Sequence, residues 1–223
     1  MAKEIFIELR SALYPPENIS ISVNRGEERV DQIYSGIKSF VEHFKTISQK
    51  DKCDVFFVDN TLDDLSKLPE KIGRVLFENK IKVLLCNQNY YGSKNKGAGD
   101  IDIWKKNFKI ISDYKWFLHF EPRTILNSPD FIRECLDYPC NTFKVLSGNK
   151  TNDHFYTGLF MINTNDLGMY INSIDLDEMV KESISIEYSL MDFIVSVSNQ
   201  FKDYKKKLSV KWHDAHEDRF IEF

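Results

Sequence analysis

Short apolar runs alternate with longer amphipathic segments along this chain, and that alternation limits the possible folds more than any single motif does. Ile5–Leu9, Ile19–Val23, Asp54–Val58, Lys82–Cys86, Trp116–Phe120, Phe143–Leu146 and Phe155–Ile162 have the length and the aliphatic or aromatic content of strands. Between about Glu27 and Ile47, the residues Val30, Ile33, Ile37, Phe40, Val41 and Phe44 recur at spacings of three and four, which predicts a helix. Further helices are predicted over Leu62–Phe77, Ile101–Ser112, Pro129–Leu136, Leu167–Ile171 and Ser185–Phe201. Gln88–Gly99 is polar and contains glycines, so it reads as a loop. The first two-thirds is therefore βαβαβαβ, the pattern of a parallel sheet with helices on both faces. The expected fold is α/β: a Rossmann-like αβα sandwich with a mostly parallel central sheet. At 223 residues, without repeats or a low-complexity linker, the chain fits one domain.

Composition narrows the function classes. A formal charge of -4 argues against a general nucleic-acid binder, and 42% hydrophobic with 13% aromatic residues indicates a globular protein. Lysines cluster at Lys94/Lys96, Lys105/Lys106 and Lys205–Lys207, leaving room for a phosphate, although the last two clusters read as solvated helix faces. The amino terminus lacks the apolar core of a signal peptide, and no run approaches the ~20 apolar residues of a membrane span. A cytoplasmic protein without a transmembrane segment is expected. Cys53, Cys86, Cys135 and Cys140 are scattered, with no Cys-x-x-Cys pair, so buried thiols are expected rather than disulfides or a zinc site.

Three constellations carry chemistry. In Lys115–Thr124 an aromatic strand ends in Glu121-Pro122-Arg123, where proline removes a backbone donor and stops pairing. That places opposite charges at the carboxyl edge of the sheet, where open α/β sheets bind ligands; a surface salt bridge is the bland alternative. The strand Asp54–Val58 delivers Asp59, Asn60 and Thr61 to the same edge, where the carboxylate can accept from a base or a ribose, or cap the next helix. Asn95-Lys96-Gly97-Ala98-Gly99 precedes a helix whose expected first turn carries Asp100 and Asp102. Its glycines permit close approach to a ligand. It matches neither the Gly-x-Gly-x-x-Gly fingerprint nor the phosphate-binding loop.

Taken in order, Asp54–Thr61, Asn95–Gly99 and Tyr114–Arg123 resemble the nucleotide-sugar-binding half of GT-A-fold glycosyltransferases, over roughly Ile19–Leu126. The resemblance implies that residues 1–126 bind the donor and 127–223 the acceptor and a carboxy-terminal tail. It makes Asp59, with Asn60, the base-contacting group and sets Asn95, Gly97 and Gly99 near the diphosphate or the donor sugar. In that family an Asp-x-Asp holds a divalent metal, and here Glu121-Pro-Arg123 stands in its place. Arg123 would repel a cation, yet its fork suits a diphosphate directly, so a transferase without a metal cofactor is one expectation. The other keeps Mn2+ or Mg2+ on Glu121 with His213 or His216, although that tail also reads as a charged surface segment. Tyr156, Thr157 and Gly158 resemble the strand lining the acceptor pocket. Glu187 corresponds to the catalytic base of inverting relatives, and it also fits a helix-capping box. Glu121 and Glu187 are the candidate catalytic residues.

The implied activity is transfer of a sugar from a nucleotide-sugar donor to a saccharide or lipid-linked acceptor, in building a cell-surface polysaccharide. An oligomer or a peripheral membrane association is compatible with it. Two alternatives are a sugar nucleotidyltransferase, for which Val23-Asn24-Arg25-Gly26 is a poor loop, and a noncatalytic transferase-like module paired with an active subunit.

Overall fold

The computed structural model describes residues 3–15, 25–86, 90–147, 153–197, 200–214 and 219–222. In chain order the elements are β1 (Ile5–Ser11), α1 (Gly26–Phe44), β2 (Cys53–Asp59), α2 (Glu70–Glu78), β3 (Lys82–Leu85), α3 (Lys96–Ile111), β4 (Trp116–Phe120) and β5 (Thr124–Leu126). There follow α4 (Asp130–Asp137), β6 (Thr142–Leu146), β7 (His154–Asn163), α5 (Thr164–Ser173), α6 (Leu176–Lys181), α7 (Ile186–Val197), β8 (Lys202–Asp203), β9 (Val210–Asp214) and β10 (Arg219–Glu222). The strand expected at Ile19–Val23 lies outside the described residues.

Seven strands form one sheet in the order β3-β2-β1-β4-β7-β6-β8. The pairs β3–β2, β2–β1 and β1–β4 are parallel, and β7 runs antiparallel to both β4 and β6. The expected α/β fold with a mostly parallel sheet is thus the observed one. The chain leaves β1 outward to β2 and β3, then returns so that β4 pairs with the other side of β1. Such a reversal opens a crevice at the carboxyl ends of the two flanking strands.

Every residue of β1 is buried, because helices cover both faces of the sheet. Ile5, Ile7 and Leu9 pack with Ile33, Ile37 and Phe40 of α1, Ile72 and Leu76 of α2 and Phe131 of α4. Phe6 points the other way, into a core of Ile101 and Trp104 of α3, Leu167 and Tyr170 of α5 and Leu190 and Ile194 of α7. Each such fully buried aliphatic or aromatic side chain contributes about 1.5–3 kcal/mol. Phe6 stacks on Phe56 of β2 at 4.1 Å and faces Phe117 of β4 at 5.8 Å, a cross-strand row that fixes register.

Several expected boundaries are corrected. The helix after β2 begins at Glu70 instead of Leu62, because Asp64 caps a separate 3-10 turn over Leu65–Lys67 and Pro69 precedes the helix. α3 begins at Lys96, since Asn95 Oδ1 accepts from Ala98 N at 3.1 Å; Gly97 and Gly99 are therefore helical and Asp100 lies beyond the first turn. Asn163 and Asp175 cap two helices where only Leu167–Ile171 was expected. The charged tail is no plain surface segment: β9 and β10 form a hairpin that pairs with β5. Among the described residues no helix is long and apolar enough to cross a membrane.

Candidate functional site

At the carboxyl edge of β4 lies a cleft of about 320 Å³. Glu121 and Arg123 reach it from the end of β4, and Asn95, Lys96, Gly97 and Asp100 from the start of α3. Thr157 of β7 and the segment from Ser183 to Glu187 close the far side. The structure therefore unites Asn95, Gly97, Glu121, Arg123, Thr157 and Glu187.

The loop bearing Glu121 and Arg123 is held on all sides. Glu121 N donates to Gly158 O at 2.9 Å, and Thr124 returns a backbone N–H (3.0 Å) and its hydroxyl (2.7 Å) to Glu121 O. Beneath it, α1 presents Gly36, where a Cβ would stand 1.8 Å from Pro122 O; only a hydrogen fits. Ser39 Oγ of the same helix accepts from Leu126 N at 2.9 Å. Arg123 Nε donates to Glu121 Oε2, and the guanidinium lies over Trp212 of β9 at 5.8 Å.

Behind that pair runs a buried polar row. Glu8 of β1 accepts from Trp104 Nε1 at 3.0 Å, and the same oxygen meets His119 Nδ1 at 2.6 Å. His119 Nε2 lies 4.0 Å from Glu121 Oε1, an ion-pair distance too long for a direct hydrogen bond. Burial alone would lower the His119 pKa, but carboxylates on both sides outweigh it and push it up to about 9. Burial would likewise raise Glu121, yet Arg123 and His119 hold its carboxyl well below the usual range. Asp100 is pushed up to about 6 by burial, opposed by Arg10, whose Nε lies 2.9 Å away without an aligned hydrogen bond. Arg29, lowered to about 10 by burial and then by Arg123, fixes the chain after β1 by donating to Ala12 O at 3.1 Å.

Across the cleft Glu187 sits in the first turn of α7, where the helix dipole favours a carboxylate. Ser185 Oγ donates to Glu187 Oε2, and Thr157 Oγ1 donates to Oε1 at 3.4 Å. Ser183 adopts a left-handed φ of 53°, turning the chain between α6 and α7. Asn95 Nδ2 donates to Met179 O (3.2 Å) and Ile184 O (3.0 Å), so this side chain ties α3 to that turn. Gly97 lets the helices touch: a Cβ there would meet Ile186 Cβ at 2.7 Å.

Other predicted residues fall elsewhere. Asp59 is fully buried, and its carboxylate accepts from Leu13 N (2.9 Å), Thr61 N (2.7 Å), Thr61 Oγ1 (2.6 Å) and Leu62 N (3.0 Å). Asn60 is buried with Oδ1 unpartnered among the described residues. Gly99 is buried within α3, and Tyr156 stands beside the cleft, its ring against the core and its hydroxyl at Gly158, close enough to Glu121 and Arg123 for their charges to act on it. His213 lies on β9, but its side chain and all of His216 are outside the described residues. Among the described residues no three His, Cys, Asp or Glu side chains gather as a metal site. The donor set at Glu121 does not fit a divalent cation either, since a guanidinium already sits on the carboxylate.

Lys96, read in a lysine cluster with room for a phosphate, and Asp100, read near the start of the helix, both line the cleft, whereas Glu8, Arg10 and His119 were missed by motif reasoning. Their signal was present as charge at alternate positions of an otherwise apolar strand, Glu8 and Arg10 on β1 and His119 and Glu121 at the end of β4. Asp100 and Trp104 meet that row from one face of α3, four residues apart.

No protein-family model matches the sequence, and no curated protein does. Among solved structures, the glycosyltransferase GlyE of Streptococcus pneumoniae TIGR4 is similar, with a TM-score of 0.55 and 13% identity over 92% of this chain and 46% of that one. A cytidylyltransferase from Leptospira borgpetersenii serovar Hardjo-bovis gives a TM-score of 0.49 at 12% identity, over 92% of this chain and 76% of its own. The sheet topology and the likeness to GlyE make the fold a GT-A-like, Rossmann-like single domain. The chain spans less than half the length of GlyE, and the likeness carries no residue roles.

Proposed function

We propose that this chain is a glycosyltransferase that moves a sugar from a nucleotide-sugar donor to a saccharide or lipid-linked acceptor, in assembling a cell-surface polysaccharide in the cytoplasm. The observation that carries the reading is that Arg123 and Glu187 line one cleft at the switch point of the sheet. The leaving diphosphate lies at the guanidinium, which stabilises the charge that develops as the bond to the sugar breaks. Glu187 takes the proton from the acceptor hydroxyl, whose oxygen forms the new bond to the anomeric carbon. Ser185 and Thr157 hold both carboxylate oxygens toward this task. Asp59 acts on the donor indirectly: with its oxygens filled, it shapes the edge where Asn60 meets the base.

A transferase-like module that works with an active subunit is the second reading, favoured by Glu121-Pro122-Arg123 standing where a metal-binding pair of acids is expected. Mass spectrometry of nucleotide-sugar hydrolysis separates them. The isolated chain is expected to release nucleoside diphosphate from a donor in a panel. Glu187→Gln should slow transfer about 10²–10⁴-fold with donor affinity retained. A full panel without release, with or without candidate acceptors, contradicts the transferase.

A further inference from the structure

We infer that the cleft receives a diphosphate without a divalent cation, through Arg123 and Lys96, with the buried row of Glu8, His119 and Glu121 fixing the guanidinium in place. The inference rests on the transferase reading for the identity of the diphosphate, and it adds how that group is held. A hard cation needs several oxygen ligands that are free to turn toward it. The cleft has three carboxylates, and each is engaged. Glu121 carries Arg123, Asp100 lies 2.9 Å from Arg10 Nε, and Glu187 accepts from Ser185 and Thr157. A cation on Glu121 would also displace Arg123 and face His119.

The cationic groups are placed the opposite way. Arg123 uses Nε on Glu121, which leaves its two Nη atoms without a partner among the described residues, on a side chain 34% exposed. A guanidinium held at Nε presents that remaining edge as a planar fork suited to phosphate oxygens. Its direction is set twice, by Trp212 beneath the ring plane and by Glu121, which His119 and Glu8 back from inside the sheet. Lys96 is exposed at the first residue of α3 and makes no ion pair among the described residues. It stands at the positive end of a 16-residue helix. Glu8, His119 and Glu121 are positioning residues in this arrangement, because they act through Arg123.

Calorimetric titration of the full chain with inorganic pyrophosphate and a panel of nucleoside diphosphates, in excess EDTA and then in Mn2+, tests it. Expected is equal affinity in both buffers. Arg123→Ala should weaken binding about 10- to 100-fold. Arg123→Lys, which keeps the charge and loses the fork, should recover only part of it. Glu8→Gln, which keeps the acceptor for Trp104 and His119 but removes the charge, should weaken diphosphate binding while leaving affinity for the uncharged nucleoside unchanged. Binding that requires Mn2+ overturns the inference and leaves the transferase reading standing; an Arg123→Ala protein that binds as well as the original overturns the inference and also removes the guanidinium from the proposed transfer step. Absence of diphosphate binding in both buffers overturns the two together.

Discussion

Asp59 at the end of β2 and Glu121 at the end of β4 look alike in sequence, each a carboxylate closing a buried aromatic strand, but their surroundings differ. Asp59 is followed by Asn60-Thr61-Leu62, of which the Thr61 and Leu62 N–H groups and the Thr61 hydroxyl turn back onto it, and Leu13 N fills the remaining oxygen. Glu121 is followed by Pro122, which has no N–H, and Thr124 bonds its carbonyl instead of its carboxylate. The local donors therefore close one site and leave the other for Arg123 and the cleft. A strand-end acid becomes a joint or a receptor according to what its next three residues can donate.

The contrast can be broken by substitution. Asp59→Ala, which strands four donors, two of them fully buried, should cost about 3 kcal/mol or more in chemical denaturation. A loss below about 1 kcal/mol would mean that these bonds are dispensable. Gly36→Ala should cost about 1–3 kcal/mol and displace the Pro122 loop, since backbone is what its Cβ would strike. Diphosphate affinity, measured beside stability, should fall with it; unchanged affinity would show that the loop does not depend on α1. His119 binds its proton more tightly folded than unfolded, so its contribution is complete below pH 6.5 and is lost as pH climbs through 9. The slope from one group is at most about 1.4 kcal/mol per pH unit, and a denaturation series in Glu8→Gln should show it reduced. Arg123→Ala should have the smallest effect on stability, under about 1 kcal/mol, because the side chain is partly solvated. A larger stability loss than that of Asp59→Ala would reverse the contrast.

Much of the sheet was legible because its strands are buried on both faces and read as apolar runs, as in Cys53–Asp59 and Trp116–Phe120. Helix starts were less so: Asn95 sits in a polar, glycine-containing stretch with the composition of a loop, although its side chain caps α3 and joins it to residues 84 and 89 positions away. The terminal hairpin was hidden by its charge and by a partner strand, β5, only three residues long. At the site, Glu121, Arg123 and Glu187 stood out as charges at element ends. Arg10 and Asp100 did not, since their meeting depends on α3 crossing over β1, which no local pattern records.

A crystal soaked with a nucleotide sugar in EDTA tests the receptor at β4 most directly. The expected density places the diphosphate within hydrogen-bond reach of the Arg123 Nη atoms and the sugar between Glu121 and Glu187. A diphosphate bound away from Arg123, or held through a metal on Glu121 once Mn2+ is added, would contradict it.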